Sequence, residues 1–363
     1  MSFDFISIKK AHVYLRDRLA GVLEKKARDN FKFSYTREYI SKKLPQIAIG
    51  FPVRVEEFSS RVLHPFFDNM IAEGWLLAHT EMTFRIDRSN RFALLMATGT
   101  APIGAVRVVP LNEKNMEISL ETHYKDNLKT TDMEAYFNTP RENEQFCPYC
   151  LEVLTESRKK ISYFHSQCAK RMWGTTRKLK FLLEKDKPMN SFIKVIYGGS
   201  VSGYQKKGLF RLEGSAVRPI SFGAQYILKP MGELDELPEN EHITMAIAKK
   251  IGFIMPPFTI VNFRKLGNVF AIRRFDINQD NEMLRMEDMA QILAKVVEDK
   301  FSGSCEKVGS VILKNSSAPL VDIFDYWRRV VFSFFIGNGD MHLKNWSMLE
   351  HKELNGKMAL SPC

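Results

Sequence analysis

The sequence has no long apolar run, no low-complexity tract and no internal repeat. No apolar stretch approaches the ~18 residues that a membrane span needs. The first residues also lack the basic stretch and the following apolar stretch of a signal peptide. We therefore expect no membrane segment and a cytoplasmic location. The 363 residues, 45% of them hydrophobic and 12% aromatic, are enough for two or three domains with packed cores.

Acidic residues are in the minority, with 42 Asp and Glu against 53 Lys and Arg, so the formal net charge is +11. Residues 158–180 contain eight Lys or Arg and no Asp or Glu. This balance predicts either a polyanionic partner, such as nucleic acid or nucleotide, or a basic surface that is simply solvated.

Cysteines are few, and their spacing does not resemble that of a secreted disulfide scaffold. Cys147 and Cys150 form a CxxC pair, and His165 and Cys168 form an HxxC pair, with 14 residues between the two pairs. Three thiolates and one imidazole at this spacing suit tetrahedral Zn²⁺, and the alternative is a set of reduced thiols in a small core. We predict a closed, structural zinc site.

Apolar periodicity predicts a mixture of strands and helices. In the first third we expect a hairpin over residues 8–23, a strand over 31–35, helices over 66–78 and 93–98, and a strand over 104–109. Residues 113–145 are polar, lack periodicity and are predicted to be a linker. Further on we expect strands near 208–213 and 222–229, a helix over 239–251, a hairpin over 258–272, and helices over 287–295 and 323–335.

The segment over residues 335–347 carries the strongest chemical signal. After an apolar run and a Gly/Asn turn, Asp340 precedes Asn345 by five positions, with Lys344 between them. A carboxylate that accepts a proton from an attacking hydroxyl and an amide oxygen that helps hold Mg²⁺ are parts that phosphoryl transfer uses. His342 lies either near the nucleotide or inside the loop as a hydrogen-bonded structural histidine.

Two further segments suit a nucleotide. The Ser/Gly loop over residues 200–205 allows backbone N–H groups to approach phosphate oxygens, although such loops often only turn the chain. Lys229 lies in an otherwise apolar strand, and Glu241 on the following helix is a candidate partner. Alternatively, Lys229 is an edge-strand lysine that faces water. The order of these parts is that of a protein-kinase-like fold: a lysine on a strand, a glutamate on the next helix, and later a loop with Asp-x4-Asn.

These segments resemble the HipA family of bacterial Ser/Thr kinases, the toxins of type II toxin–antitoxin systems. The resemblance lies in residues 202–207, 226–230 with 240–241, 271–276 and 337–345, and in the N-terminal residues 13–15, 21–23, 66–69 and 104–106. It implies an α+β, protein-kinase-like bilobal fold. The implied parts are an N-terminal subdomain (1–112), a linker (113–145), the Cys/His segment with the kinase N-lobe (146–272) and a partial helical C-lobe (273–363).

By this resemblance, Asp340 is the catalytic base, Asn345 is a Mg²⁺ ligand, and Lys229 contacts the α- and β-phosphates of ATP with Glu241 as its partner. The remaining implied nucleotide contacts lie in a phosphate loop, a hinge beside the adenine and the catalytic loop: Ser200, Ser202, Gly203, Gln205, Arg274, Phe275, Asp276 and His342. Family members autophosphorylate a serine of the phosphate loop, which ejects that loop. Here the candidates are Ser200 and Ser202.

The resemblance also implies partners: a helix-turn-helix antitoxin that contacts DNA, and a protein substrate such as an aminoacyl-tRNA synthetase. The family's second metal-binding aspartate follows a segment like residues 360–362, and the sequence stops at Cys363 without it. From this we expect little or no kinase activity in these 363 residues, and a C-lobe that is unstable or needs another chain. Two other functions are kept open: a catalytically inactive, inhibitory kinase-like protein, and a zinc-containing nucleic-acid-binding module.

Overall fold

The computed structural model describes residues 4–118, 130–133, 135–136, 146–154, 163–193, 205–232, 235–351 and 357–362. The chain forms two compact units. The first contains residues 1–123, 197–203 and 276–361, and the second contains residues 124–196, 204–275 and 362–363. The first unit therefore combines the N-terminal part of the chain with the segment that carries the Asp340–Asn345 motif.

An antiparallel sheet of five strands forms the N-terminal part of the first unit, in the order β4-β3-β2-β1-β5. Its strands are β1 (Lys10–Leu15), β2 (Arg18–Ala27), β3 (Asn30–Tyr35), β4 (Phe58–Ser60) and β5 (Val106–Pro110). Alternate residues of β1 and β3 are buried, as expected for strands with one face on a core. Gly21 is required in β2 because a Cβ there would lie 2.3 Å from the carbonyl oxygen of Ser34. The predicted hairpin and the strand over residues 31–35 are confirmed.

Four helices accompany this sheet: α1 (Arg37–Ser41), α2 (Pro65–Asp68), α3 (Gly74–Phe84) and α4 (Arg91–Thr98). The prediction of one helix over residues 66–78 was wrong. Helix α2 ends at Asp68, Glu73 is extended, and α3 begins only at Gly74, whose φ is +58°. Tertiary contacts explain the break, because the side chains of Asn69 and Glu73 bind lysines from the later part of the unit.

The later part of the first unit contains a three-stranded sheet and three helices. The strands are β14 (Met286–Asp288), β15 (Ser347–His351) and β16 (Lys357–Leu360), and the helices are α8 (Met289–Ile292), α9 (Cys305–Asn315) and α10 (Pro319–Phe335). The predicted helix over residues 287–295 begins instead as β14, because these residues pair with β15. Asp288 then caps α8 through a capping box with Gln291.

Polar contacts join the N-terminal and later segments of this unit. The backbone N–H of Ile49 lies 2.9 and 3.0 Å from the two carboxylate oxygens of Glu287. Arg16 forms an ion pair with Glu350 of β15. Because Glu287 and Glu350 are 1% and 6% exposed, these contacts lie in the interior of the unit. The N-terminal sheet is thus packed against chain segments more than 200 residues away in sequence.

Helix α10 confirms the helix predicted over residues 323–335 and begins four residues earlier. One face, which carries Ile323, Tyr326 and Val330, packs into the core of the unit. The opposite face presents large apolar side chains to solvent within the described part of the chain: Leu320, Val321, Phe324, Val331, Phe334 and Phe335. Among the described residues, no helix is both long and apolar enough to cross a membrane.

In the second unit, the described residues form an eight-stranded sheet in the order β6-β8-β10-β9-β11-β13-β12-β7. Only β8 and β10 pair in parallel. The strands are β6 (Thr130–Met133), β7 (Ala135–Tyr136), β8 (Lys180–Glu184), β9 (Gly208–Glu213), β10 (Ala216–Pro219), β11 (Tyr226–Pro230), β12 (Phe258–Phe263) and β13 (Gly267–Arg273). Strands β6 and β7 lie within the segment predicted as a linker.

Three described helices belong to the second unit: α5 (Ser166–Trp173), α6 (Asn190–Ile193) and α7 (Leu237–Lys250). Helix α7 confirms the prediction for residues 239–251. Ile243 and Ile247 of this helix are 57% and 46% exposed, whereas His242 is 6% exposed. Helix α7 buries His242 together with Pro238 and Ala248. Both units mix helices with sheets, in agreement with the predicted α+β class.

Candidate active site and metal centre

The catalytic-loop motif follows α10 and leads into β15. Gly337 turns the chain with a φ of +68°, and a short 3₁₀ turn over Leu343–Asn345 precedes the strand. The side-chain amide of Asn345 donates to the backbone carbonyl of Asp340, and its Nδ2 lies 3.5 Å from the Asp340 carboxylate. Asp340 is 72% exposed. The loop thus places an accessible carboxylate beside an amide, as the spacing predicted.

His342 lies inside this loop. Its side chain is 7% exposed, its ring packs edge-on against Phe301 at 5.1 Å, and its Nε2 is 3.6 Å from Oδ1 of Asp340. Burial lowers the pKa of His342, while the nearby carboxylate of Asp340 opposes that shift. This placement puts the ring inside the loop and next to the Asp340 carboxylate, and both interpretations of His342 stay predictions.

Lys344 has a role that the spacing did not show. Its side chain is 2% exposed, and its Nζ lies 3.2 Å from Glu73 and 3.2 Å from Asp288. The same Nζ donates to the backbone and side-chain oxygens of Asn69 at 2.9 and 3.1 Å. Burial opposes the charge, but the carboxylates of Asp288 and Glu73 outweigh it and raise the pKa of Lys344. This buried ammonium therefore fixes the loop to Asn69, Glu73 and Asp288.

Lys229 and Glu241 form the second predicted pair, in the second unit. Lys229 is the fourth residue of β11, and its ammonium forms an ion pair with Glu241 of α7. Its Nζ also lies 5.5 Å from the ring centroid of Phe270, which is opposite it on β13. The two side chains remain 20% and 24% exposed. Lys229 is therefore held by a helix carboxylate and is not an edge-strand lysine in water.

The predicted hinge residues divide between the units. Arg274 is 8% exposed, and its guanidinium donates to the carbonyl of Ala224 at 3.3 Å. Phe275 is half-buried. Asp276 belongs to the first unit, is 3% exposed, and accepts the backbone N–H of Gly104 at 2.7 Å. One carboxylate oxygen of Asp276 thus fixes a turn of the N-terminal segment.

Of the predicted phosphate loop, the structure describes Gln205. Gln205 is half-buried at the start of the segment that leads into β9. Ser200, Ser202 and Gly203 lie outside the described residues. Their predicted contacts with phosphate, and the choice between the two serines, stay predictions.

The Cys/His cluster is brought together as the spacing predicted. The ligand atoms of Cys147, Cys150, His165 and Cys168 all lie within 4.8 Å of one another. Nδ1 of His165 is 3.3 Å from Sγ of Cys150, and its Nε2 is 3.2 Å from the carbonyl of Val153. A ring N–H held by a carbonyl leaves Nδ1 as the metal-binding nitrogen. Burial, with the neighbouring thiols, raises the pKa of Cys168 to about 12, so a cation is what would favour its thiolate.

A contact between this cluster and helix α7 was not predicted. Within the Cys147–Cys150 turn, the carbonyl of Pro148 accepts from Nε2 of His242 at 3.0 Å and from Oγ1 of Thr259 at 3.1 Å. Burial lowers the pKa of His242, although the hydrogen bond to the Pro148 carbonyl opposes this shift. The only signal in the sequence is that His242 follows Glu241 directly.

Two family models match this chain. "HipA N-terminal domain" matches residues 11–109, and "HipA-like C-terminal domain" matches residues 199–363. The chain belongs to the HipA family. The resemblance inferred from the motifs is thereby confirmed, and it includes both the N-terminal subdomain and the segment that carries Lys229, Asp340 and Asn345.

Relatives in this family carry kinase names. A Haemophilus influenzae protein named "Putative kinase" is 30% identical over 176 residues, which cover 45% of this chain and 51% of that protein. "Putative kinase Y4dM" of Sinorhizobium fredii is 26% identical over 338 residues, which cover 87% of this chain and 67% of that protein. The chain thus spans about half the length of the first relative and about two thirds of the second.

A solved structure supports the fold. The Shewanella oneidensis MR-1 toxin–antitoxin complex of HipA, HipB and operator DNA contains a chain that matches with a TM-score of 0.62 and 19% identity. The match covers 97% of this chain and 74% of that chain. It confirms the predicted α+β, kinase-like HipA fold.

Proposed function

We propose that this HipA-family protein is an ATP-dependent Ser/Thr protein kinase of a toxin–antitoxin system. Asp340 accepts the proton of the attacking hydroxyl, and Asn345 provides an amide oxygen to Mg²⁺. Lys229, held by Glu241, binds the α- and β-phosphates. Bound Mg²⁺ would neutralise charge on the transferring phosphoryl group. The two sets of residues belong to different units.

The donor sets suit these groups. Nδ2 of Asn345 is engaged by Asp340, so its Oδ1 is the atom available to a hard cation, and the exposed Asp340 carboxylate lies beside it. The strongest support is the Lys229–Glu241 ion pair, because a lysine that only faced water would not need a helix carboxylate. A helix-turn-helix antitoxin partner, an aminoacyl-tRNA synthetase substrate, and autophosphorylation at Ser200 or Ser202 complete the proposal.

Nucleotide binding is the first test. Isothermal titration calorimetry with Mg-ATP should show that Lys229→Met weakens affinity by about tenfold or more, because charge-assisted hydrogen bonds to phosphate are lost. Lys250→Met, an exposed lysine at the end of α7, is the matched control and should bind like the wild type. Equal affinities for wild type and Lys229→Met would contradict the proposal.

Transfer is tested separately in cells and in vitro. Any growth arrest on expression, and any ³²P incorporation from γ-labelled ATP, should be abolished by Asp340→Asn. Clear incorporation by the wild-type chain would contradict the expectation of little or no kinase activity in these 363 residues. Asp17→Asn, a fully exposed aspartate of the same unit, is the control. Phosphopeptide mapping distinguishes Ser200 from Ser202. Incorporation that survives Asp340→Asn would exclude Asp340 as the base.

We also propose that Cys147, Cys150, His165 and Cys168 hold a structural Zn²⁺. The support is the mutual distance of the four ligand atoms and the carbonyl that fixes the His165 ring. Elemental analysis of the purified chain should give about one zinc per molecule, and Cys168→Ser should lower it. Cys305→Ser, outside the cluster, should not change the zinc content.

A further inference from the structure

The turn between the two cysteines of the CxxC pair is in contact with the helix that carries Glu241. Its Pro148 carbonyl accepts hydrogen bonds from His242 on α7 and from Thr259 on β12. His242 is 6% exposed and Thr259 is 0% exposed. A carbonyl oxygen has two acceptor sites, and here both are occupied by buried donors. Because these donors are buried, water would not replace the carbonyl if it moved away.

A second contact lies two turns further along the same helix. Nζ of Lys249 is 4.1 Å from the ring centroid of Tyr149, the next residue of the turn. Tyr149 itself packs against the core of the second unit. Residues seven apart share one face of a helix, so His242 and Lys249 meet the turn from the same side of α7.

The turn contributes two residues of the cluster, Cys147 and Cys150. Two backbone hydrogen bonds close the turn. The N–H of Cys147 donates to the carbonyl of Glu152, and the N–H of Leu151 donates to the carbonyl of Cys147. Cys168 lies on α5, and His165 directly precedes that helix. A metal bound by all four residues would therefore fix the Pro148 carbonyl relative to α5 and to the sheet.

We propose that the metal centre positions helix α7, and through it Glu241, so that the ion pair with Lys229 is kept in place for the nucleotide. His242 is then a positioning residue that acts through Glu241 and does not itself touch ATP. This inference rests on the proposed nucleotide-binding role of Lys229 and on the proposed zinc site. It connects metal occupancy to nucleotide affinity.

The test is a double-mutant cycle on Mg-ATP affinity, with zinc content measured for every variant. His242→Phe should keep about one zinc and bind Mg-ATP about three- to tenfold more weakly, because one hydrogen bond to the turn is lost. His242→Gln, which retains a donor, should restore most of the affinity. In a Glu241→Gln background, His242→Phe should have no further effect.

Removal of zinc provides a test that needs no substitution. A zinc-selective chelator should weaken Mg-ATP binding by the wild type, and added zinc should restore it; the Glu241→Gln variant should be insensitive to both. If His242→Phe does not fold, Thr259→Val with Thr259→Ser as its control takes its place.

Unchanged affinity in His242→Phe and after zinc removal would overturn the inference, and so would equal losses with and without Glu241, which indicate a general folding effect. The proposed nucleotide site fails separately, if Lys229→Met binds Mg-ATP like the wild type.

Discussion

The catalytic loop and the Lys229 strand are supported in different ways. The loop that carries the exposed Asp340 and Asn345 is fixed by Lys344, which is buried and binds three residues from two distant parts of the chain. Lys229 instead pairs with a residue only twelve positions away, and both groups stay partly exposed. Because the charges of the first region are buried, we expect that region to contribute mainly to stability. The proposed function assigns the Lys229–Glu241 pair to nucleotide binding.

The largest effect should come from the buried ammonium. Lys344→Met leaves Glu73 and Asp288 facing each other with less compensation, and breaking such a buried pair costs about 3–5 kcal/mol. Urea unfolding followed by tryptophan fluorescence measures it. Lys314→Met, on the exposed side of α9, is the matched control. A loss below about 1 kcal/mol would place Lys344 in the class of surface ion pairs and remove the contrast between the regions.

The second prediction concerns pH. Burial raises the pKa of Glu287 to about 7, although the Ile49 N–H and Arg285 oppose it. The unfolded chain releases this proton near pH 4.5. Between these two values the folded state holds more protons, so this contribution to stability is complete below pH 4.5 and is lost as the pH rises through 7.

Glu287→Gln cannot ionise and should flatten this dependence. Relative to the wild type, its free energy of unfolding should rise by about 3 kcal/mol between pH 4 and pH 8. Urea unfolding at both pH values measures the difference. Parallel pH profiles for the two proteins would show that Glu287 is ionised in the folded state.

The smallest change in stability should follow from Glu241→Gln. Because this ion pair is partly exposed, its loss should cost less than about 1 kcal/mol. Mg-ATP affinity should nevertheless fall, since Lys229 loses the carboxylate that holds it. A large loss of stability with unchanged affinity would reverse the comparison and make Lys229–Glu241 the structural pair.

Local patterns predicted much of this molecule. The strand over residues 31–35 and helix α10 follow from periodicity, and the juxtaposition of Asp340 with Asn345 follows from their spacing in one loop. Predictions of secondary structure were wrong where contacts with residues distant in sequence determine the backbone conformation. Residues 69–73 leave the helix because their side chains bind Lys344 and Lys300, and residues 286–288 form a strand because β15 lies beside them.

The supporting contacts were hidden for the same reason. Nothing in the spacing around Lys344 shows that Asn69, Glu73 and Asp288 surround it. Likewise, the carbonyl of Pro148 carries no side-chain signal that would point to His242. Such partners depend on tertiary packing, which one sequence does not reveal.

The composition of the first unit has a consequence for synthesis on the ribosome. Ile49 and Arg16 are translated long before their partners Glu287 and Glu350. The N-terminal sheet therefore leaves the ribosome before these contacts can form. All residues of the second unit's sheet, which ends at Arg273, are translated in that interval. The nascent N-terminal segment must therefore remain soluble with Glu287 and Glu350 missing, and these contacts form only after Glu350 has been translated.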